Sequence, residues 1–308
     1  MKLYRYPQAS PHNIDDGPYR NCIPLGVDGL AEHCTIVDNP NDADYFHVGQ
    51  IREDSNIKLY ESNGSEFEFF KGNESRHIVD MEGEGGWEIP EWLRKCILTT
   101  MGPLKRFNYY KLFTRPCFSS LMMDCLKDER VFEFPKKSGY GFRGCINHPT
   151  RQVLFEALKE PTLNENRIRR EAYMTAGWFG PAPSRSEPHL IFEELMLKHP
   201  LSLCPRGAGI ASTRVWETCA YGRGPVIFSN EDFYQVGEDE YDTSFIFKVI
   251  GDLSPKDMAN ELVTIYNTNI NELKERGDAA KNYFDTVIKE YFKDPTLFFI
   301  NWLKRNVK

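Results

Sequence analysis

The sequence predicts an α/β fold built on parallel sheets, and three observations carry that prediction. Strands alternate with helices of ten or so residues through the second half of the chain, the pattern of βαβ units. A strand, a glycine turn and a helix follow one another directly within residues 201–221. With 308 residues, 41% of them hydrophobic, the chain is long enough for two domains with real cores, or for one large α/β domain.

The elements read in order as follows. Residues 2–6 form a strand, followed by a polar loop rich in Pro, Asn and Asp and a helix near 27–33. The turn signal Asp38-Asn39-Pro40-Asn41 precedes a short strand over 44–48. A further apolar strand, His77-Ile78-Val79-Asp80, runs into Met81-Glu82-Gly83-Glu84-Gly85-Gly86. Glycine-rich acidic loops of this kind, at strand ends in α/β folds, often carry ligands. Lys127-Asp128-Glu129-Arg130 and Pro135-Lys136-Lys137 break the pattern and mark a boundary, giving domains 1–130 and 131–308. Beyond it, 138–144 reads as a strand and 150–159 as a helix with Val153, Leu154 and Ala157 at helical spacing. Residues 187–198 form an amphipathic helix, 201–204 a strand, 212–221 a helix and 225–229 a strand. Residues 258–308 are mostly helical, broken at Asp294-Pro295.

Composition excludes several classes. No run of 18 apolar residues exists, so no membrane-spanning helix is expected. Met1-Lys2-Leu3-Tyr4-Arg5-Tyr6-Pro7 lacks the apolar core of a secretory signal, so a cytoplasmic location is expected. A net charge of −7 argues against a nucleic-acid partner, because a phosphate-tracking surface needs a cationic excess. The eight cysteines form no C-x-x-C pair and read as buried reduced thiols. Nothing in the sequence settles an oligomeric state.

The chemistry concentrates in residues 201–230. A buried strand ends at Cys204, and Pro205 stops its pairing. Gly207 and Gly209 permit backbone shapes that a side chain forbids. Ser212 or Thr213 then caps a helix, whose free N–H groups and positive dipole end suit a phosphate. Arg206 and Arg214 add charge-assisted donors. On the helix, Val215, Trp216, Cys219 and Ala220 form the apolar stripe, while Arg214, Glu217 and Tyr221 share another face. An arginine for a diphosphate and a carboxylate for ribose hydroxyls suit a nucleotide sugar. The same i,i+3 spacing also suits a surface ion pair.

Gly207-x-Gly209-x-x-Ser212 falls one residue short of a dinucleotide fingerprint, with Glu231 and Asp232 about 20 residues on. A nicotinamide-dependent oxidoreductase is therefore an alternative. The proline and arginine in the turn, and serine at the third small position, count against it.

The segment Pro205-Arg206-Gly207, Ser212-x-Arg214-x-x-Glu217 and Gly222-x-x-Pro225-Val226-Ile227 resembles the exostosin-like glycosyltransferases in order and spacing. Phe142-Arg143-Gly144 with Arg151 is similar to that family's first strand–turn–helix of the donor domain. Asp38 to Phe46 is similar to its N-terminal strand. The resemblance implies a GT-B fold, two Rossmann-like domains with parallel sheets facing a cleft, with the last helix crossing back to the N-terminal domain. It implies an inverting transfer from a UDP-sugar, UDP-xylose among the options, to a glycan hydroxyl. A non-catalytic glycan-binding protein of the same fold is a further alternative. Arg143, Gly144, Arg151, Arg206, Gly207, Gly209, Ser212, Arg214 and Glu217 would hold the donor. The base would come from Asp80 or Glu82, with His47 and His77 as alternatives, and Glu84 and Trp87 would meet the acceptor. Trp92, Trp178 and Phe179 are further candidates for stacking on sugar. Asp42-Ala43-Asp44 reads as structural. No metal and no cofactor beyond the donor substrate is expected, because arginines and a helix dipole can take over a cation's charge role.

Overall fold

The computed structural model describes residues 1–6, 30, 32–52, 64–82, 89–100, 105–106, 108–116, 124–126, 132–175, 187–207, 212–230, 236–238 and 240–307. The chain divides into two compact units. The first comprises Met1–Pro116, Phe233–Gly237 and Glu290–Lys308, and the second Cys117–Asp232 and Glu238–Lys289. The first division falls ahead of the 127–136 stretch.

The first unit holds β1 (Lys2–Arg5), β2 (Thr35–Val37), β3 (Tyr45–Arg52), β4 (His77–Glu82), β5 (Ile97–Thr100) and β6 (Lys111–Thr114). All pairs are parallel, in the order β2-β1-β3-β4-β5-β6. Both faces are covered, which is why the strands read as continuous apolar runs. Val79, Met81 and Leu98 pack on one side with Phe46, Phe70 and Trp92. Ile78 and Ile97 pack on the other with Leu3 and Phe113. The short helix α1 (Glu91–Arg94) leads into β5. The turn signal at 38–41 becomes a 3-10 turn, Pro40–Asp42, whose N-cap Asn39 accepts from the Asn41 N–H at 3.0 Å.

The second unit holds β7 (Tyr140–Cys145), β8 (Arg170–Thr175), β9 (Leu201–Pro205), β10 (Gly224–Ser229) and β11 (Phe247–Ile250). They too are all parallel, in the order β11-β10-β9-β7-β8. Its helices are α2 (Pro149–Ala157), α3 (Pro161–Glu165), α4 (Glu187–Lys198), α5 (Thr213–Ala220), α6 (Pro255–Tyr266) and α7 (Ile270–Tyr283). Phe142, Leu203, Val226 and Phe228 from the sheet pack against Leu154, Leu158, Met258 and Leu262 from the helices. A π-helical turn, Phe284–Ile288, leads through α8 (Lys289–Lys293) to α9 (Pro295–Asn306). Asp294 caps α9 by accepting from the Leu297 N–H at 2.8 Å. Phe299, Trp302 and Leu303 of α9 belong to the first unit's core, beside Leu3, Ile78 and Ile97.

The two parallel α/β sheets agree with the fold class read from the sequence. Several elements were not legible there, namely β2, β5, β6, β8, β11, α1 and α3. Pro205 also departs from expectation. It continues β9 in register with Phe228, and the following residue, Arg206, donates its N–H to the Phe228 carbonyl at 3.3 Å. Pro205 lacks a donor but keeps its carbonyl, which the site uses. No described helix is long and apolar enough to cross a membrane.

Candidate functional site

Each sheet follows a doubly wound order, 2-1-3-4-5 in the second unit, and such sheets bind ligands outside the carboxyl ends at the switch point. In the second unit that point lies between β7 and β9. Tyr140 pairs with Leu201 and Gly141 with Ser202 near the strand starts. At the far ends Arg151 bridges the two strands. Its Nε donates to the Arg206 carbonyl at 3.0 Å, Nη1 to the Cys145 carbonyl at 3.0 Å, and Nη2 to the Pro205 carbonyl at 3.4 Å.

Gly144 and Gly207 are the positions where the backbone is approached most closely here. A Cβ on Gly144 would lie 3.5 Å from Arg151 Nη1, 3.5 Å from Arg214 Nη1 and 3.0 Å from the Phe142 ring. A Cβ on Gly207 would lie 3.0 Å from Arg151 Nη2 and 3.4 Å from Asn147 Nδ2. The two guanidinium groups therefore flank Gly144, a juxtaposition of cations that needs an anion to be favourable. Arg143 shares with Gly141 the face that α4 covers, where a Gly141 Cβ would meet Leu195.

Arg214 lies in the first turn of α5, clamped between aromatic rings, with its guanidinium carbon 5.0 Å from the Phe142 centroid and 4.4 Å from that of Phe192. Nε and Nη1 are shielded from solvent and, among the described residues, make no hydrogen bond. Burial pulls its pKa below the ordinary value, partly offset by Glu217. Glu217, one turn on, is 7% exposed, and among the described residues it receives no hydrogen bond or ion pair. Ser212 occupies the N-cap of α5 in extended conformation; its side chain makes no capping bond, and its carbonyl accepts from the Val215 N–H at 3.0 Å. Tyr221 leaves this face: its hydroxyl donates to Glu193 Oε1 at 2.7 Å and its ring stacks on Phe132. Burial pushes the Cys204 thiol up to about 11, so it is an inert core group. Gly209 lies outside the described residues.

The first unit treats its predicted residues differently. Asp80 is fully buried, receives a hydrogen bond from Thr99 Oγ1, and its Oδ2 lies 3.6 Å from His47 Nε2. Burial alone would raise its pKa, but His47, Arg115 and Thr99 together outweigh it and hold the carboxyl below its ordinary value. A general base must reach the proton it removes, and Asp80 presents no surface for that. His77 is also a core group. Its Nε2 meets the Tyr6 hydroxyl at 2.9 Å, its Nδ1 meets the Asn73 carbonyl at 2.7 Å, and burial lowers its pKa to about 4. Trp92 packs edge-on against Phe70 in the core. Asp44 accepts from the Lys2 N–H at 2.6 Å at the start of β3. The Glu82 side chain, Glu84, Trp87, Trp178 and Phe179 lie outside the described residues. Among the described residues no group of three or more His, Cys, Asp or Glu side chains gathers as a metal site.

Phe192 and His148 at the second unit's switch point escaped the sequence reading, which named Phe142 only as part of Phe142-Arg143-Gly144. Phe142 and Phe192 clamp Arg214, and His148 caps α2. Only His148 had a local signal, its place before Pro149 at the first helical position.

No family model matches the chain, and no curated protein sequence matches it. Among solved structures, a glycosyltransferase from Rickettsia africae ESF-5 is similar over 99% of this chain and 99% of that chain, at 11% identity and TM-score 0.44. An alpha1,3-fucosyltransferase with GDP is similar over 100% of this chain and 91% of its own, at 13% identity and TM-score 0.41. TarM of S. aureus, in complex with Fondaparinux, alpha-GlcNAc-glycerol and UDP, is similar over 74% of this chain at 11% identity and TM-score 0.40. This chain spans 55% of the TarM chain. At TM-scores this low the likenesses assign no function.

Proposed function

We propose that the chain is a nucleotide-sugar-dependent glycosyltransferase whose donor diphosphate sits at the β7/β9 switch point. The observation that carries this reading is the pair of guanidinium groups, Arg151 and Arg214, flanking Gly144 at the end of β7. Two shielded N–H groups of Arg214 that have no partner among the described residues are a standing cost of about 1–3 kcal/mol each, which an anion's oxygens would offset. The N-terminus of α5 adds its dipole. Arg206 and Arg143 complete the cationic set, with Ser212, Gly207 and Gly209 shaping the turn. Glu217, buried one turn on from Arg214, is the acceptor for ribose hydroxyls. Four arginines against one carboxylate suit a diphosphate leaving group without a divalent cation.

In the reaction, an acceptor hydroxyl oxygen attacks the anomeric carbon as the bond to the diphosphate oxygen breaks, inverting that centre. The hydroxyl proton passes to a base, and the nucleoside diphosphate leaves with the electron pair. We place the base at Glu82, with Asp80 holding the strand end that carries it. UDP-sugars are the proposed donors and a glycan hydroxyl the acceptor, with Glu84 and Trp87 on the acceptor side.

The oxidoreductase alternative is disfavoured by topology. Its fingerprint belongs to the first βα turn of the nucleotide-binding sheet. Here that turn is Cys145-Ile146-Asn147-His148-Pro149, which holds no glycine, and Gly207 follows the third strand. The test is a screen of UDP-sugars by UDP release, with and without chelator. Release that survives chelation supports the reading. UDP-sugar binding with no release from any donor in the presence of glycan acceptors would favour the non-catalytic alternative.

A further inference from the structure

We propose that His148 is a further ligand-contact residue of this site: a neutral imidazole that donates its Nε2–H to a phosphate oxygen of the nucleoside diphosphate. The inference rests on the donor-site reading above.

Helix α2 begins where β7 ends, and His148 is its N-cap, in extended conformation. The Thr150 N–H donates to His148 Nδ1 at 3.2 Å. A nitrogen that accepts carries no proton, so the proton of the neutral ring lies on Nε2, the atom the cap leaves over. The ring is half-buried, and burial, then Arg206, then Arg151 lower its pKa. Those two arginines, one after β9 and one on its own helix, are the charged groups acting on it. Both belong to the bridge across the switch point, since Arg151 Nε donates to the Arg206 carbonyl at 3.0 Å. The neighbouring Asn147 amide lies beside Gly207 in the same place.

Histidine is an unusual choice for this position. Asp, Asn, Ser and Thr are the preferred caps. An aspartate would satisfy the same N–H, but it would set an anion beside the arginines where a phosphate must bind. Histidine caps through one nitrogen and keeps a fixed donor on the other. The helix N-terminus and the two arginines keep the ring uncharged.

The test separates capping from ligand contact. In His148→Ser the cap is kept, no charge is added, and the hydroxyl is too short to reach where the Nε2–H points. In His148→Asn the amide keeps both an acceptor and a donor. The expected result is wild-type thermal stability in both. UDP affinity falls about 10- to 150-fold in His148→Ser, the equivalent of one charge-assisted hydrogen bond, and stays within about threefold of wild type in His148→Asn. Nitrogen NMR of the imidazole gives an independent readout. It should show the Nε2–H tautomer in the free protein and a shifted Nε2–H resonance on UDP addition. Wild-type UDP affinity in folded His148→Ser, or an Nδ1–H tautomer, overturns the inference while leaving the donor-site reading intact. Failure of the wild-type protein to bind UDP overturns the donor-site reading and this inference with it.

Discussion

Replacing Arg214 by leucine separates what this cation does for the fold from what it does for a ligand. The guanidinium lies between Phe142 and Phe192, 5.0 and 4.4 Å from their centroids, with Nε and Nη1 shielded and without partners among the described residues. Leucine keeps apolar volume between the rings. It forfeits two cation–π contacts, about 1–4 kcal/mol together, and removes two unmade hydrogen bonds of about 1–3 kcal/mol each. The free protein should therefore melt in urea at the wild-type concentration or slightly above. Nucleotide binding has no such offset. Losing one charge-assisted hydrogen bond, about 1.5–3 kcal/mol, weakens UDP binding about 10- to 150-fold at 1.4 kcal/mol per decade. Calorimetric titration with UDP alongside urea melts measures both. A folded variant that binds UDP with wild-type affinity, or a large loss of stability with unchanged affinity, would refute the reasoning and make Arg214 a structural cation.

Other consequences follow from the same geometry. Glu217→Gln should weaken UDP binding but leave inorganic pyrophosphate binding unchanged, measured by competition, because the carboxylate serves the ribose. Arg151→Ala removes three bonds to the carbonyls of Cys145, Pro205 and Arg206 and should cost about 2–3 kcal/mol of stability. Arg151→Lys should not restore it in a urea melt, because one ammonium lacks the planar fork that reaches three carbonyls. Asp80→Leu leaves His47 without its buried partner and should cost about 3–5 kcal/mol in the same assay. With its folded pKa below the ordinary 3.8, Asp80 contributes stability above that value. That contribution is lost as pH falls through the folded pKa, so the cost of Asp80→Leu should shrink in strong acid.

The βαβ core of the second unit was legible because its signals are local. Residues 187–198 read as a helix end to end, and the strand, turn and helix after Leu201 carry their own glycines and apolar stripe. Strands β8 and β11 were hidden because they are edge strands. Arg170-Glu171-Ala172-Tyr173-Met174-Thr175 exposes Tyr173 and Met174 and lacks the apolar run of a central strand. Strand β5 is four residues long, too short for a periodic signal. The misleading residue was Asp80. The strand appeared to end there, yet it continues to Glu82, and the burial of Asp80 depends on His47 and Thr99 from neighbouring strands. Arg151 shows the same limit from the other side. Its partners at Pro205 and Arg206 lie more than fifty positions away, so local sequence suggests a ligand cation where the fold also needs a bridge. The phosphate-binding character of Gly207, Ser212 and Arg214 was readable, but the clamp of Phe142 and Phe192 that aims Arg214 was not.

The central claim is that the β7/β9 switch point of the second unit holds a nucleoside diphosphate. Titrating the intact chain with UDP and, in parallel, with NAD tests it most directly. The account predicts saturable UDP binding that Arg214→Leu weakens at least tenfold, and no NAD binding. Saturable binding of NAD with none of UDP would contradict it.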